Sequence, residues 1–362
     1  MSGSVHQLVP TITPRDAVGN HTFRLREVLR GLGYESEIFA MFRHGDVTAD
    51  THLVDQLPPD ADALIYQFSI GSPLATRWAQ YGGRRIMNYH NITPVELVGK
   101  WDGLLDAEVR LGREQMEHYA SACEHAICDS DFNRSELDAL GYASTETIPV
   151  LFDVADARPD KSVITALDAR RKKSGGLQIL FVGRIAPNKA HHDLVAAVRT
   201  LRDVYGADAH LHVVGTDGPA TYRKVVDGIV AHADMASHVT FHGSVSQEAL
   251  VGFYRAADVF CCVSDHEGFC VPVIEAMHHG CPVVAYDCTA VGGTVGDGGL
   301  LLADKHPLTV ATALQRVAAD RELRQRLAAA GQRRAGDFAL DTTRQRFADS
   351  LDTLLSGERR LP

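Results

Sequence analysis

Two carboxylates eight positions apart, Glu267 and Glu275, have the clearest chemical meaning in this sequence. The apolar run 258–263 before them is typical of a buried strand, Pro272 between them suits the start of a helix, and Gly280 suits its end. The N–H groups at a helix start bind anions such as a diphosphate, whereas an ionised carboxylate accepts hydrogen bonds from sugar hydroxyls. The pattern therefore predicts a sugar-nucleotide site on a strand, tight loop and helix.

A second candidate loop follows the apolar run 177–182. Gly183 ends this predicted strand, and two cations, Arg184 and Lys189, come after it five residues apart. Fixed cations stabilise the negative charge that grows on a leaving diphosphate when no metal is present. Taken alone, the loop is more typical of a surface turn with two solvated charges.

Together these loops resemble the glutamate-x7-glutamate and valine-glycine-arginine…lysine signatures of retaining glycosyltransferase family 4. The flanking Arg-Ala-Ala-Asp-Val-Phe at 255–260, Glu-Gly-Phe at 267–269 and Glu-Ala-Met at 275–277 carry the resemblance. It covers nearly the whole second half of the chain and three islands in the first half. Members of that family have the GT-B fold, in which two Rossmann-like domains face a cleft.

The resemblance implies a role for each residue of the two loops. Glu267 is expected to bind hydroxyls of the donor sugar and Glu275 those of the ribose, while Arg184 and Lys189 hold the diphosphate. Retention without a protein nucleophile implies a front-face mechanism, in which the leaving phosphate helps to deprotonate the acceptor. The further donor-binding residues are Gly19, Gly183, Gly243, Ser244, Val245, Gly268, Phe269, Cys270 and Val271.

Two islands in the first half add candidates for the reaction. The stretch 88–94 resembles the family's His-Asn-x-Thr-Pro sequence, which implies that His90 hydrogen-bonds the donor sugar and supports an oxocarbenium-like transition state. A lone histidine at a strand end is otherwise usually structural. Gly19 follows the first predicted strand, where glycine lets the backbone approach a phosphate. Asp16 and Asn20 beside it are candidates for binding the acceptor.

We expect no metal cofactor. The run Asp129-Ser130-Asp131 fits an acidic metal-binding pattern of the other glycosyltransferase fold, but it follows a buried strand, so we expect a helix cap. The pairs 191–192 and 278–279 are adjacent histidines and lack the i, i+4 spacing of helical metal ligands. No Cys-x-x-Cys sequence occurs.

Strand-like runs alternate with helical patterns along all 362 residues, which indicates the α/β class and parallel sheets. We expect two doubly wound domains, because this length exceeds one ordinary core. Residues 1–152 would form an acceptor-binding domain, 153–176 a connection and 177–340 the nucleotide-sugar domain. The resemblance implies that a last helix, 341–362, crosses back to the first domain.

Charge and composition indicate which classes of partner and which cellular compartment this chain favours. The net charge is −10, and residues 1–150 hold 12 Lys and Arg against 21 Asp and Glu, which disfavours nucleic acid and anionic lipid. It favours instead a small, cationic acceptor such as an amino sugar in secondary metabolism. No membrane-spanning run or signal peptide is visible, and seven cysteines without framework spacing predict the cytoplasm. Any self-association is expected to be a homodimer.

The donor predicted from these features is a nucleoside-diphosphate sugar, with UDP or GDP as the nucleotide. Two other functions fit the same fold: a sugar-nucleotide epimerase or hydrolase, and a catalytically dead protein that binds nucleotide sugars. A dehydrogenase is disfavoured because the glycine-rich stretch 292–299 does not fit the dinucleotide fingerprint.

Overall fold

The computed structural model describes residues 3–13, 17–154, 157–174 and 176–356. The chain divides into two compact units. The first unit contains the described parts of residues 1–95, 104–153 and 338–362, and the second contains those of residues 96–103 and 154–337. Asp16, one of the two predicted acceptor residues, lies outside the described residues.

Strands and helices alternate through both units. The strands are β1 Val5–Ile12, β2 Ile38–Arg43, β3 His52–Leu53, β4 Ala63–Phe68, β5 Arg84–Tyr89, β6 His125–Cys128, β7 Thr145–Thr147, β8 Leu177–Val182, β9 Ala209–Val214, β10 Val239–Gly243, β11 Val259–Cys262, β12 Val283–Tyr286 and β13 Leu300–Leu302. The helices are α1 Ala17–Gly31, α2 Leu74–Ala79, α3 Val95–Val98, α4 Gly103–His118, α5 Asp131–Ala139, α6 Lys161–Ser174, α7 His191–Tyr205, α8 Ala220–His232, α9 Gln247–Ala256, α10 Val271–His278, α11 Val291–Val295, α12 Pro307–Ala319, α13 Arg321–Gly336 and α14 Leu340–Ser356.

The first unit is built on a seven-stranded parallel sheet with the order β3-β2-β1-β4-β5-β6-β7. Its central strands are buried along nearly their whole length, as expected when helices cover both faces of a parallel sheet. Helix α14 packs on α1, because its apolar face buries Phe347 and Leu351 in the core that also contains Leu25 and Ile65.

The second unit is built on a six-stranded parallel sheet with the order β10-β9-β8-β11-β12-β13. The chain runs outward from β8 through β9 and β10, then returns to place β11 on the other side of β8. The order therefore reverses between β8 and β11, and open α/β sheets bind ligands outside the carboxyl ends of the strands at such a point. The loops predicted to hold the sugar nucleotide leave these two strands.

The predicted α/β class and the two parallel sheets are confirmed. Each run that we interpret as a strand overlaps one of the observed strands. These runs are 7–10, 37–40, 63–66, 85–89, 126–128, 177–183, 209–214, 239–241, 259–263 and 282–285. Sequence analysis missed β3, β7 and β13, which are two or three residues long and lie at sheet edges. Strands this short carry too few residues to show a periodic pattern. Among the described residues, no helix is long and apolar enough to cross a membrane.

Three buried imidazoles of the second unit make the stability of the folded chain depend on pH. Burial lowers the pKa of His191 and His212 to about 3 and that of His210 to about 4, so all three are neutral in the folded chain at neutral pH. Unfolding returns each to an ordinary value near 6.5. The unfolded chain therefore binds more protons below about pH 6.5, and each imidazole removes about 1.4 kcal/mol of stability per further pH unit.

We expect His212→Gln to weaken this pH dependence. Urea unfolding of the second unit is followed from about pH 8 to about pH 5. The free energy of unfolding should fall less steeply with decreasing pH than in the unsubstituted protein, by about 1.4 kcal/mol per pH unit. The same change at His232, which is exposed at the end of α8, should leave the slope as it was. An unchanged slope in the His212 variant would mean that this imidazole is not held neutral by burial.

Candidate functional site

An ion pair joins the loops that follow β8 and β11. Lys189 Nζ lies 2.5 Å from Glu267 Oε2, and Ser264 Oγ donates a hydrogen bond of 2.8 Å to Glu267 Oε1. The side chain of Glu267 is 7% exposed and that of Lys189 is 22% exposed. Both carboxylate oxygens of Glu267 are therefore held in fixed directions. Two of the predicted catalytic residues are in direct contact.

The backbone of the same loops is held by further hydrogen bonds. The Asn188 side chain donates to the His266 carbonyl at 3.2 Å, and the Asn188 carbonyl accepts from the Asp265 N–H at 2.8 Å. Thr289, in the loop after β12, donates to the Glu267 carbonyl at 2.8 Å. Three loops at the carboxyl edge of the sheet thus converge on Glu267.

The charge of Lys189 is stabilised by its surroundings. Burial acts to lower the pKa of Lys189, but the nearby Glu267 carboxylate and the Cys270 thiol act in the opposite direction and outweigh it. The net effect is a pKa above the ordinary lysine value. Lys189 is therefore a permanent ammonium group with three N–H donors at this edge of the sheet.

Arg184 lies on the same loop but is exposed, and the described residues offer it no ion-pair partner. The loop is tightly set, because Gly183 and Gly215 have positive φ angles and a Cβ at Gly215 would overlap the Gly183 carbonyl oxygen. The two strand ends can approach this closely because residue 215 has no Cβ, and the positive φ of residue 183 also favours glycine. The geometry fixes the position at which the Arg184 side chain begins.

The predicted diphosphate-binding segment forms the tip of the β11–α10 connection. Gly268 is half-buried, Phe269 and Cys270 are buried, and Cys270 precedes the helix with φ at 74°, in the left-handed region. Thr294 Oγ1 donates to the Phe269 carbonyl at 2.6 Å. The first N–H groups of an α-helix have no partner within the helix, so the start at Val271 offers donors to an anion.

Glu275 lies in the second turn of α10. Tyr254 on α9 donates a 2.7 Å hydrogen bond to its Oε2. Burial raises the pKa of Glu275, and the hydrogen bond from Tyr254 partly offsets this effect. The other carboxylate oxygen has no hydrogen-bond partner among the described residues.

The remaining donor-site candidates of this unit lie at the end of β10. Gly243 ends that strand with φ at 66°, and its carbonyl accepts from the Gly215 N–H at 2.9 Å. Ser244 is exposed and Val245 is half-buried. Ser246 caps α9 by accepting from the Ala249 N–H, as expected. Since all strands are parallel, this loop shares the carboxyl edge with the Lys189 and Glu267 loops.

His90 follows β5 in the first unit, and its ring is engaged on both sides. Nδ1 lies 2.8 Å from Asp129 Oδ2, and Nε2 lies 2.7 Å from Gln67 Oε1. The side chain is only 2% exposed. A sugar hydroxyl can therefore bond an imidazole nitrogen of His90 only by taking the place of one of these two partners.

Asp129 and Gln67 are site residues that sequence analysis missed. The helix cap expected in the run 129–131 is confirmed, because Ser130 caps α5, and Asp129 in the same run contacts His90. Gln67 also accepts from Asn88 at 3.1 Å and donates to Gln7 at 2.8 Å. The available signal was the presence of amide side chains inside otherwise apolar strands, where they need partners.

The other first-unit candidates lie at the start of α1, after β1. Gly19 is buried and Asn20 is exposed. Both are at the carboxyl edge of the first sheet, as are His90 and Asp129, because the strands before them are parallel.

The hydrogen bond from His90 to Asp129 leads to a stability prediction. Asp129→Ala should cost about 1–3 kcal/mol in thermal unfolding, because it leaves a buried imidazole N–H without an acceptor. Asp129→Asn retains a carbonyl oxygen at that place and should cost clearly less. Asp131→Ala, at an exposed position two residues later, is the control and should cost at most about 1 kcal/mol. Equal losses in the two Asp129 variants would argue against this hydrogen bond.

Comparison with known proteins agrees with this geometry. Residues 164–334 match the family model described as glycosyl transferases group 1. A D-inositol 3-phosphate glycosyltransferase of Streptomyces griseus subsp. griseus is 37% identical over 194 residues, which are 50% of this chain and 40% of that protein. The chain spans 38–58% of the length of the curated relatives that it matches.

Solved structures share the architecture at low sequence identity. A sucrose-phosphate synthase from Thermosynechococcus elongatus has a TM-score of 0.75 and 18% identity, with 98% of this chain and 100% of that chain covered. Anabaena HepE in complex with UDP-glucose has a TM-score of 0.75 and 16% identity, with 97% and 99% covered. Residues 164–334 of this chain are thus similar to the group 1 glycosyltransferases, and its two parallel-sheet units have the GT-B fold.

Proposed function

We propose that this protein is a retaining, metal-independent glycosyltransferase that moves a sugar from a nucleoside-diphosphate donor to a small-molecule acceptor. The observation that carries the proposal is the Lys189–Glu267 ion pair, which lies where the strand order of the second sheet reverses between β8 and β11. Both residues are within the segment that matches the glycosyltransferase family model. Anabaena HepE, which has the same fold, was crystallised with UDP-glucose. This supports UDP as the first nucleotide to test, with GDP second.

The diphosphate would bind between cations and helix N–H groups. Lys189 supplies a half-buried ammonium group, and Arg184 supplies an exposed guanidinium from the same loop. The helix start at Val271 supplies N–H donors and the positive end of a helix dipole. These groups stabilise the charge that develops on the leaving phosphate, which is where such contacts accelerate a transfer.

The donor sugar would contact Glu267. Its two oxygens are oriented by Ser264 and Lys189, yet a carboxylate has about four lone-pair sites, so acceptor sites remain for sugar hydroxyls. Glu275 would bind the ribose through the oxygen that Tyr254 does not occupy. Family resemblance supports the same division of roles between the two glutamates.

The chemistry that we propose needs no protein nucleophile. The bond between the sugar and the phosphate breaks, the leaving phosphate takes the proton of the acceptor, and the acceptor attacks from the same face. His90 is a further catalytic candidate from the resemblance, with its ring oriented by Asp129 and Gln67.

The acceptor that we propose is a small, cationic molecule from natural-product biosynthesis. The support is the excess of acidic over basic residues in the first 150 residues. A phosphorylated acceptor, such as the one in the name of the Streptomyces relatives, would be repelled by such a surface. We place the reaction in the cytoplasm, and the free, buried state of all seven cysteines is consistent with a reducing compartment.

Thermal shift with nucleotides tests the donor site. UDP, GDP, ADP, dTDP and CMP are each added at high concentration, and a ligand at 100 times its dissociation constant should add about 2.7 kcal/mol of stability. We expect one diphosphate nucleotide to give a clear shift and thereby name the donor. No shift with any of them would contradict the donor site and favour a homologue that has lost the reaction.

Turnover in two variants tests the catalytic roles. Glu267→Ala and Lys189→Ala should each lower the release of nucleoside diphosphate from the donor by about 100-fold or more, because each removes an electrostatic contact in a buried site. Glu322→Ala and Lys224→Ala, exposed on α13 and α8, are matched controls and should keep normal turnover. Near-normal turnover in either site variant would remove that residue from the mechanism.

A further inference from the structure

Two thiols lie beside the carboxylate that anchors the candidate site. Cys262 ends β11, Cys270 precedes α10, and one ligand atom from each lies within 4.8 Å of the other and of a Glu267 carboxylate oxygen. All three side chains are buried. In a tetrahedral zinc site, bonds of about 2.3 Å place two sulfurs about 3.8 Å apart, so small side-chain movements bring these atoms to ligand spacing.

The backbone at Cys270 supports a specific use of its side chain. Its φ of 74° is in the left-handed region, which a residue with a side chain rarely adopts and then only with strain. This conformation turns the chain from the loop into α10 and brings the Cys270 sulfur to Cys262. Glycine would turn the chain at less cost, so the strain is not needed for the turn alone.

Charge balance is favourable for a divalent cation. Two thiolates and the Glu267 carboxylate supply three negative charges, and a divalent ion together with the Lys189 ammonium supplies three positive charges. A neutral cluster has a low cost of burial compared with an unbalanced one. Binding releases the thiol protons to solvent and leaves a fourth coordination position for water.

We propose that Cys262, Cys270 and Glu267 form a binding site for a soft divalent cation of the Zn²⁺ class. Thiolate ligands select such ions over Mg²⁺ and Ca²⁺, which prefer oxygen. The ion has no part in the transfer that we propose. It occupies the carboxylate needed by the donor sugar, so the site is inhibitory, and this consequence rests on the proposed function.

Cobalt spectroscopy tests the metal site without any enzyme assay. The full chain, with its thiols reduced and oxygen excluded, is titrated with Co²⁺. We expect sulfur-to-cobalt charge-transfer absorption that saturates at about one ion per chain and is abolished by Zn²⁺. Cys262→Ser and Cys270→Ser should each lose most of this absorption.

Cys288 provides the matched control. It is also buried and near the same loop, but its sulfur donates to the Ser264 carbonyl at 2.9 Å and it is not one of the three ligands. Cys288→Ser should keep the absorption. The proposal is overturned if the unsubstituted protein gives no charge-transfer absorption although its seven thiols titrate after unfolding, or if Cys288→Ser loses as much as Cys262→Ser.

The inhibitory role is tested separately, with the nucleotide that shifts the melting temperature. A saturating sugar nucleotide should weaken Co²⁺ binding by about tenfold or more, whereas the same nucleotide without its sugar should weaken it far less. Equal effects of the two, or none, would overturn the overlap with the sugar position. The absorption of the ion itself does not depend on the donor, so failure of the proposed transfer and failure of the metal site give different results.

Discussion

The buried ion pair between Lys189 and Glu267 is the constraint around which the second unit's site is arranged. A partly buried ammonium beside a buried carboxylate is stable only while both are present, because removal of one leaves the other charge without a partner. The pair therefore joins the β8 and β11 loops, in addition to the hydrogen bond between the Asp265 N–H and the Asn188 carbonyl. Ser264 and Asn188 then fix the carboxylate and the loop backbone. Any anion that binds Lys189 shares it with Glu267.

Parallel pairing explains why these loops meet at all. In a six-stranded sheet whose order reverses between β8 and β11, the two strands are neighbours although about 80 residues separate their loops. Every parallel strand ends at the same edge, so loops that are remote in the chain are assembled side by side. The glycines at 183 and 215 permit the close approach of the β8 and β9 ends. The Cys262 and Cys270 thiols are brought to Glu267 by the same connection.

The first unit is subject to a different constraint, because it buries polar side chains inside its sheet. Gln7, Gln67 and Asn88 lie on neighbouring central strands and are fully buried, so each requires hydrogen-bond partners from the others. Their chain ends at His90, whose other nitrogen meets Asp129. The imidazole is thus oriented by a network across the neighbouring central strands β1, β4 and β5. A ligand that engages the ring has to compete with this network or use it.

The sequence was enough to predict the α/β class, the parallel sheets, most of the strands and the two loops that carry the charged candidate residues. Apolar runs, glycines after strands and Pro272 are signals within short segments, so they can be recognised in the sequence without knowledge of the fold. The short edge strands were missed because two or three residues are too few to show an alternation of apolar and polar side chains. Three side-chain pairings became visible only in the folded structure: Lys189 with Glu267, Asp129 with His90, and Cys270 with Cys262. The first two contacts join loops that follow neighbouring strands, so strand order sets the partners, and spacing along the chain does not encode strand order. The third contact lies within the β11–α10 connection, where the left-handed backbone at Cys270 turns the chain.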